Sequence, residues 1–239
     1  MRAFDALMVG LLLLTLTGAG VAAAQTPPPT ASSIPDMAQH VLPCAPCHGA
    51  AGEGGKNAYF PRLAGKPAGY LFNQLSAFRQ GRRHYAPMNY LLEFQRDDYL
   101  RAMAAFFSQQ QLQSVSVTPP SASKAVLDHG EDLVEHGASS RSIPPCVSCH
   151  GKRLTGMQPG IPGLLALNAD YIIAQLGAWR YGTRTATAPD CMQQVAARLT
   201  DGDVSAVAAW LAAQPLPADL APLRAGAQRT PLACGSEPQ

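Results

Sequence analysis

Cys44-Ala45-Pro46-Cys47-His48-Gly49 and Cys146-Val147-Ser148-Cys149-His150-Gly151 write one six-residue pattern, C-x-x-C-H-G, twice, 102 residues apart. The likeness spreads outward from both copies. At an offset of 101 residues Pro61, Leu63, Tyr70, Gln74, Leu75, Arg79, Gly81 and Arg83 meet Pro162, Leu164, Tyr171, Gln175, Leu176, Arg180, Gly182 and Arg184, and Phe78 meets Trp179. At an offset of 104, Met88 meets Met192, Phe106 meets Trp210 and Gln110 meets Gln214. Small changes of offset are short loop insertions between like elements, so one module has been duplicated. The segment Val115 to Ser123, with Pro119-Pro120, breaks the composition between the copies. It sets the expected division: a first domain over 34–113, a linker over 114–122, a second domain over 123–216 and a tail over 217–239.

Periodicity within each copy is helical. Lys124 to His136 places Val126, Leu127, Leu133 and Val134 near one face, with Gly137 as a stop. Asn168 is an N-cap candidate with Asp170 in the first turn, ahead of a helix carrying Tyr171, Ile172, Leu176 and Trp179 and ending at Gly182. The equivalent helix of the first copy spans about Pro67 to Gln80. Closing helices are marked by Tyr99, Leu100, Met103, Phe106 and Phe107, and by Val204, Val207, Trp210 and Leu211 after a Thr200-x-x-Asp203 pattern that resembles a capping box. No alternating strand stands out. The expected fold is all-α, two tandem domains of three or four helices each, every one a small bundle around its own C-x-x-C-H motif.

The 239 residues are 47% hydrophobic, an ordinary globular composition. A formal net charge of +2, with only 14% charged residues, gives no electrostatic reason to bind nucleic acid. Arg2 precedes an apolar run from Ala6 to Leu16 and small residues through Ala22-Ala23-Ala24, which reads as a secretory signal over 1–24 cleaved before Gln25. The competing reading is an uncleaved anchor, and peripheral membrane association is compatible with it. A Pro-rich linker, 25–33, follows. The expectation is export to an oxidising compartment, the bacterial periplasm.

Cysteines three residues apart occupy neighbouring positions of a helical turn, where their sulfurs can form thioethers to the two vinyl groups of one haem. The adjacent histidine then offers an imidazole nitrogen to the iron. Cys44, Cys47 and His48, and Cys146, Cys149 and His150, therefore read as two covalent haem c sites. A zinc site built from all four cysteines would have to draw both pairs together across the linker and would leave the duplication unexplained. A thioredoxin-like redox pair would want an α/β context.

The sixth position on each iron decides between a carrier and an enzyme or gas binder. Methionine is the expected carrier ligand, because a neutral, polarisable thioether favours Fe(II) and keeps peroxide and oxygen off the metal. Met88 and Met192 lie 40 and 42 residues after their histidines, at matched places in loops ahead of the closing helices. By default a methionine fills core, and the matched placement is what favours ligation. Met103 and Met157 compete poorly. Pro61 and Pro162 stand where a returning loop can offer a carbonyl to the other ring N–H of His48 and His150.

Other residues carry less. His84 could replace Met88 on the iron, but its counterpart is Ala188; His40, His129 and His136 have no clear partners in the repeat. Arg79, Arg83, Arg180 and Arg184 could meet haem propionates bidentately or simply end a helix in solvent. Cys191 and Cys234 are either a disulfide tying the tail to the Met192 segment or free buried thiols.

With FPRLAG at 60–65, YLFNQLSAFRQGRR at 70–83, IPPCVSCHG at 143–151 and the Met192 segment ending VAAWLAAQ, the chain resembles the di-haem cytochrome c4 family, tandem class I cytochromes c. The resemblance covers about Pro35 to Gln214 and implies two cytochrome c folds with their haems close together. It implies electron transfer, not catalysis, between respiratory donors such as the bc1 complex and a terminal oxidase. A cytochrome subunit of a periplasmic dehydrogenase is the alternative, and a peroxidase is disfavoured by the matched methionines. The sequence departs from the family in short histidine-to-methionine loops, in Pro35 and Pro43 interrupting the first opening helix, and in the cysteine-bearing tail.

Overall fold

The computed structural model describes residues 36–55, 57–112, 117 and 120–237. The leader over 1–24, the Pro-rich segment over 25–33 and most of the linker over 114–122 lie outside the described residues.

The first copy runs α1 (Met37–His40), α2 (Ala45–His48), α3 (Ala68–Arg79), α4 (Ala86–Leu92) and α5 (Asp97–Gln109); the second runs α6 (Lys124–Glu135), α7 (Val147–His150), α8 (Ala169–Arg180), α9 (Cys191–Ala196) and α10 (Asp201–Ala213). Each copy has its own apolar core. Leu71, Phe78, Leu92, Leu100, Met103 and Phe107 form one, and Leu133, Val134, Leu165, Ile172, Leu176, Val204, Val207 and Leu211 the other.

Local chemistry sets the helix ends. Thr200 and Asp203 close a reciprocal capping box at the start of α10, and Asp97 and Asp98 place negative charge in the first turn of α5. Arg79, at the end of α3, donates to Gln95 O and to Asp97 at the start of α5, and Arg180 at the end of α8 repeats the ion pair with Asp201. Arg79 and Arg180 are therefore neither free helix ends nor unpaired cations. They tie the middle helix of each copy to its closing helix.

The opening elements diverge. In the second copy α6 crosses α10 so closely that a Cβ at Gly130 would collide with the Ala206 carbonyl. Glycine there lets the backbones meet. In the first copy α1 spans one turn, Pro43 sits in a 3-10 turn over Leu42–Cys44, and His40 packs edge-on against Tyr99 of α5, ring centroids 5.6 Å apart. The all-α expectation holds, with one small addition. Gly156–Met157 and Ile161–Pro162 form a two-residue antiparallel ladder, β1 and β2, too short to leave an alternating pattern in the sequence.

The copies meet face to face along α3, α8 and the turns that follow them. Backbone pairing is antiparallel at Arg83 and Arg184, and Thr185 N–H donates to Arg82 O at 2.7 Å. The side chains cross over: Arg83 donates to Tyr171 Oη and Gln175 Oε1, both at 2.8 Å, while Arg184 donates to Gln74 Oε1 at 2.6 Å and reaches Tyr70 Oη at 3.5 Å. Residues matched by the duplication thus contact one another reciprocally, as in a twofold dimer.

Asp203 is 3% exposed and accepts hydrogen bonds from Arg141, His129 Nε2 and the Thr200 backbone. Burial pushes its carboxyl up, but the bonds from Arg141 and Thr200 outweigh that and hold it well below the usual carboxylate range. A carboxyl with a depressed pKa contributes stability that is present above its unfolded pKa of about 4 and lost as pH falls toward the folded value. Asp203→Asn is expected to destabilise the second domain by about 2 kcal/mol at neutral pH and to flatten the decline of stability below about pH 4. Denaturant midpoints followed across that range check both.

Candidate functional site: two haem crevices

The first cysteine of each C-x-x-C-H motif is the N-cap of a one-turn helix that ends on the histidine, with Gly49 and Gly151 immediately after. His48 and His150 are buried, 7% and 6% exposed. Burial drives both imidazoles below the ordinary histidine pKa, which favours the neutral form that binds metal. His48 Nδ1 donates to Pro61 O at 2.9 Å and His150 Nδ1 to Pro162 O at 2.8 Å, as the matched prolines suggested. That bond fixes the tautomer, leaves Nε2 as the electron-pair donor and raises its basicity. In the second copy the β1–β2 ladder carries Pro162 to the ring.

A cavity of about 270 Å³ brings Cys44, Cys47, His48, Pro61 and Met88 together, and a second of about 180 Å³ brings Cys146, Cys149, His150, Pro162 and Met192 together. Met88 and Met192 are not in loops. They lie in the first turns of the short helices α4 and α9, because each segment is long enough for two turns between its crevice and the closing helix. His84 also borders the first cavity, as an exposed residue four positions before Met88. The two cysteine pairs line separate cavities, Cys44 and Cys47 the first and Cys146 and Cys149 the second.

Two features sequence reasoning missed lie where the cavities adjoin. Lys66, Tyr70, Gln74, Tyr171, Gln175 and Arg184 wall both. Arg62, Lys66, Arg83 and Arg184 are 3–8% exposed, and among the described residues none has a carboxylate partner. They are held by carbonyls, amides and phenols: Arg62 donates to Leu165 O at 3.2 Å and Lys66 to Gly163 O at 2.8 Å, each reaching the other copy. Arg83 stacks on Phe78 and Arg184 on Trp179, with guanidinium carbons 4.5 and 3.7 Å from the ring centroids. Burial lowers Arg62 to about 10, and burial beside Arg62 pushes Lys66 far down. The Trp179 indole N–H, in the wall of the second cavity, has no acceptor among the described residues.

Buried cations and an orphan donor call for anions. A haem supplies two propionate carboxylates, so the site fits the cofactor in its charge as well as in its cysteines and histidines. Arg83 and Arg184 retain the propionate-pairing role open to them in the sequence, whereas Arg79 and Arg180 are engaged elsewhere. Arg62 and Lys66 carry no periodicity or matched partner that would have singled them out; Tyr70, Gln74, Tyr171 and Gln175 were visible only as matched identities.

Two such crevices on a duplicated helical module define a di-haem c-type cytochrome. Residues 38–116 match the family model Cytochrome c. The chain is 39% identical over 173 residues to the thiosulfate dehydrogenase electron acceptor of Thiomonas intermedia, covering 72% of this chain and 79% of that protein. It is 33% identical over 170 residues to cytochrome c4 of Pseudomonas aeruginosa, covering 70% and 82%. The crystal structure of reduced recombinant cytochrome c4 from Pseudomonas stutzeri superposes with a TM-score of 0.64 at 31% identity, over 73% of this chain and 95% of that one. The chain belongs to the di-haem cytochrome c4 family and carries electrons on two covalently bound haem c groups.

When bound, haem supplies the one-electron Fe(II)/Fe(III) couple. The protein contributes attachment, histidine orientation, a shell that excludes water, and positive charge where the cavities adjoin, from residues that would hold the propionates. That charge favours Fe(II). Arg184→Gln is expected to lower a haem midpoint potential by the equivalent of about 1–2 kcal/mol, measured by redox titration of the two-haem protein.

Proposed function

We propose that this chain is an exported electron carrier that takes electrons from a periplasmic dehydrogenase of the thiosulfate-oxidising kind and delivers them to a terminal acceptor such as an oxidase. His48 and Met88 ligate one iron, and His150 and Met192 the other. The observation that carries the ligand assignment is the matched placement of Met88 and Met192 in the walls of the two histidine-bearing cavities. Identity to the Thiomonas electron acceptor supports the donor. Identity to cytochrome c4 supports a second reading, a general respiratory carrier fed by the bc1 complex.

The leader over 1–24 and its cleavage after Ala24 are part of this proposal, because thioether attachment and the oxidised Cys191–Cys234 pair both suit an exported chain. The mature chain is expected to begin at Gln25, and mass spectrometry of the exported protein checks it.

Met88→Ala and Met192→Ala should each remove one of two methionine–iron(III) signals, read from the weak far-red charge-transfer band; survival of both signals in the double variant would overturn the ligand set. Purified thiosulfate dehydrogenase with thiosulfate should reduce the cytochrome rapidly and in stoichiometric amount. Reduction by the bc1 complex alone would favour the respiratory reading.

A further inference from the structure

The two axial-methionine helices are anchored by different means. In the first copy Asn89, directly after Met88, anchors α4: its Oδ1 accepts from Tyr85 N–H at 2.8 Å, and its Nδ2 donates to Phe78 O at 2.6 Å and Arg83 O at 2.9 Å. These bonds tie the Met88 turn to the end of α3. The duplication puts Gln193 at the matching place, and Gln193 is exposed; its backbone is engaged by the Asp190 cap and by Ala197 N–H, and among the described residues its side chain makes no hydrogen bond. The α8 anchor has gone.

A covalent one stands in its place. Cys191, directly before Met192, is bonded to Cys234 of the tail, which is 6% exposed. Gly235 N–H donates to Pro189 O at 2.9 Å, and the two backbones run so close that a Cβ at Gly235 would strike the Ala188 carbonyl.

The far end of this strap is itself fixed. Leu223 exchanges backbone bonds with Gly156 O and Gln158 N–H, both at 2.8 Å, beside the β1–β2 ladder that carries Pro162. Gln228 Nε2 donates at 2.8 Å to the carbonyl of Val147, inside the C-x-x-C-H helix. Leu232, Cys234 and Ser236 border the second cavity. The strap therefore touches the segments bearing the cysteines, the histidine-supporting carbonyl and the methionine of one haem, and among the described residues the first copy has no counterpart.

We propose that Cys234, through its disulfide to Cys191, is a positioning residue for the second haem, holding Met192 on the iron as Asn89 holds Met88 on the first. This rests on the assignment of Met192 as ligand. A thioether bonds Fe(III) weakly and competes with water and added ligands, so its retention depends on how little the segment carrying it can move. A cross-link removes that freedom from the Met192 turn. Loosening it also costs more for Fe(II) than for Fe(III), since the ferrous iron binds thioether better, so the midpoint potential of that haem falls.

The test is a crossed pair of variants on the two-haem protein: Cys191→Ser/Cys234→Ser, and Asn89→Ala. Three quantities are read on each: the far-red methionine band of the ferric form, the rate of imidazole binding, and the two midpoint potentials. The serine pair should speed imidazole binding at one haem by about tenfold or more while the other keeps the wild-type rate, and Asn89→Ala should do the same at the opposite haem. Combining the serine pair with Met192→Ala should add little at that haem, because the ligand is already gone. Mild thiol reduction of the wild-type disulfide followed by reoxidation should reproduce and then reverse the effect. Wild-type imidazole rates and potentials at both haems of the serine pair would overturn the proposal, as would equal changes at both haems, which would signal general loosening. Failure of the ligand assignment shows separately, as a full methionine band in Met192→Ala alone.

Discussion

Two guanidinium groups, Arg83 and Arg184, lie buried where the copies meet, each stacked on an aromatic ring of its own copy and hydrogen-bonded to a carboxamide and a phenol of the other. Much else depends on that crossing. It sets the backbone pairing of the turns after α3 and α8, places Tyr70, Gln74, Tyr171 and Gln175 in the walls of both crevices, and draws Arg62 and Lys66 into contact with carbonyls of the second copy. Removing a charge from water costs several kcal/mol unless it is paired, and stacking with neutral hydrogen bonds offsets only part of that. The propionates of bound haem would supply the carboxylates that complete the balance. Haem attachment would then be coupled to the joining of the domains, much as metal binding is coupled to folding in small metalloproteins.

The duplication is an internal control on which features the haem requires. Both copies keep the one-turn cysteine helix, the histidine donating to a proline carbonyl, the arginine that ties the middle helix to the closing helix, and a methionine in a short helix. They part in the opening helix and in what anchors the methionine-bearing segment. The opening helix is twelve residues in one copy and four in the other, because Gly130 permits close contact with α10, whereas Pro43 turns the first chain early.

The fold and the haem attachment were legible because they rest on covalent spacing and on identity between copies. C-x-x-C-H needs no tertiary context to be read, and helices rich in Leu, Ile and Phe at 3.6-residue spacing advertise their buried faces. The prolines beside each histidine were legible for the same reason, as a matched pair. Arg62 and Lys66 were not, since a cation in a loop looks solvated until tertiary packing closes over it. Nor could the sequence show that Arg79 and Arg180 were committed: their partners Asp97 and Asp201 lie 18 and 21 residues away, and only the fold brings them together. The β1–β2 ladder escaped because two residues per strand have no period.

The haem-facing and solvent-facing sides of the module have diverged to different extents. Tyr90 on α4 and Phe94 in the turn after it are 79% and 85% exposed, and their counterparts by position, Gln194 and Arg198, are polar. The apolar character of that face is not something the fold demands, because the second copy folds without it. In the second copy the tail occupies the cavity rim, with Leu232 and Cys234 contributing to the wall. Identity is thus concentrated where two crevices must share arginines, tyrosines and glutamines across a pseudo-twofold axis, since a change on one side there would unpair a buried group on the other. Outward faces carry no such reciprocal constraint, and there one gene's two copies have become chemically distinct.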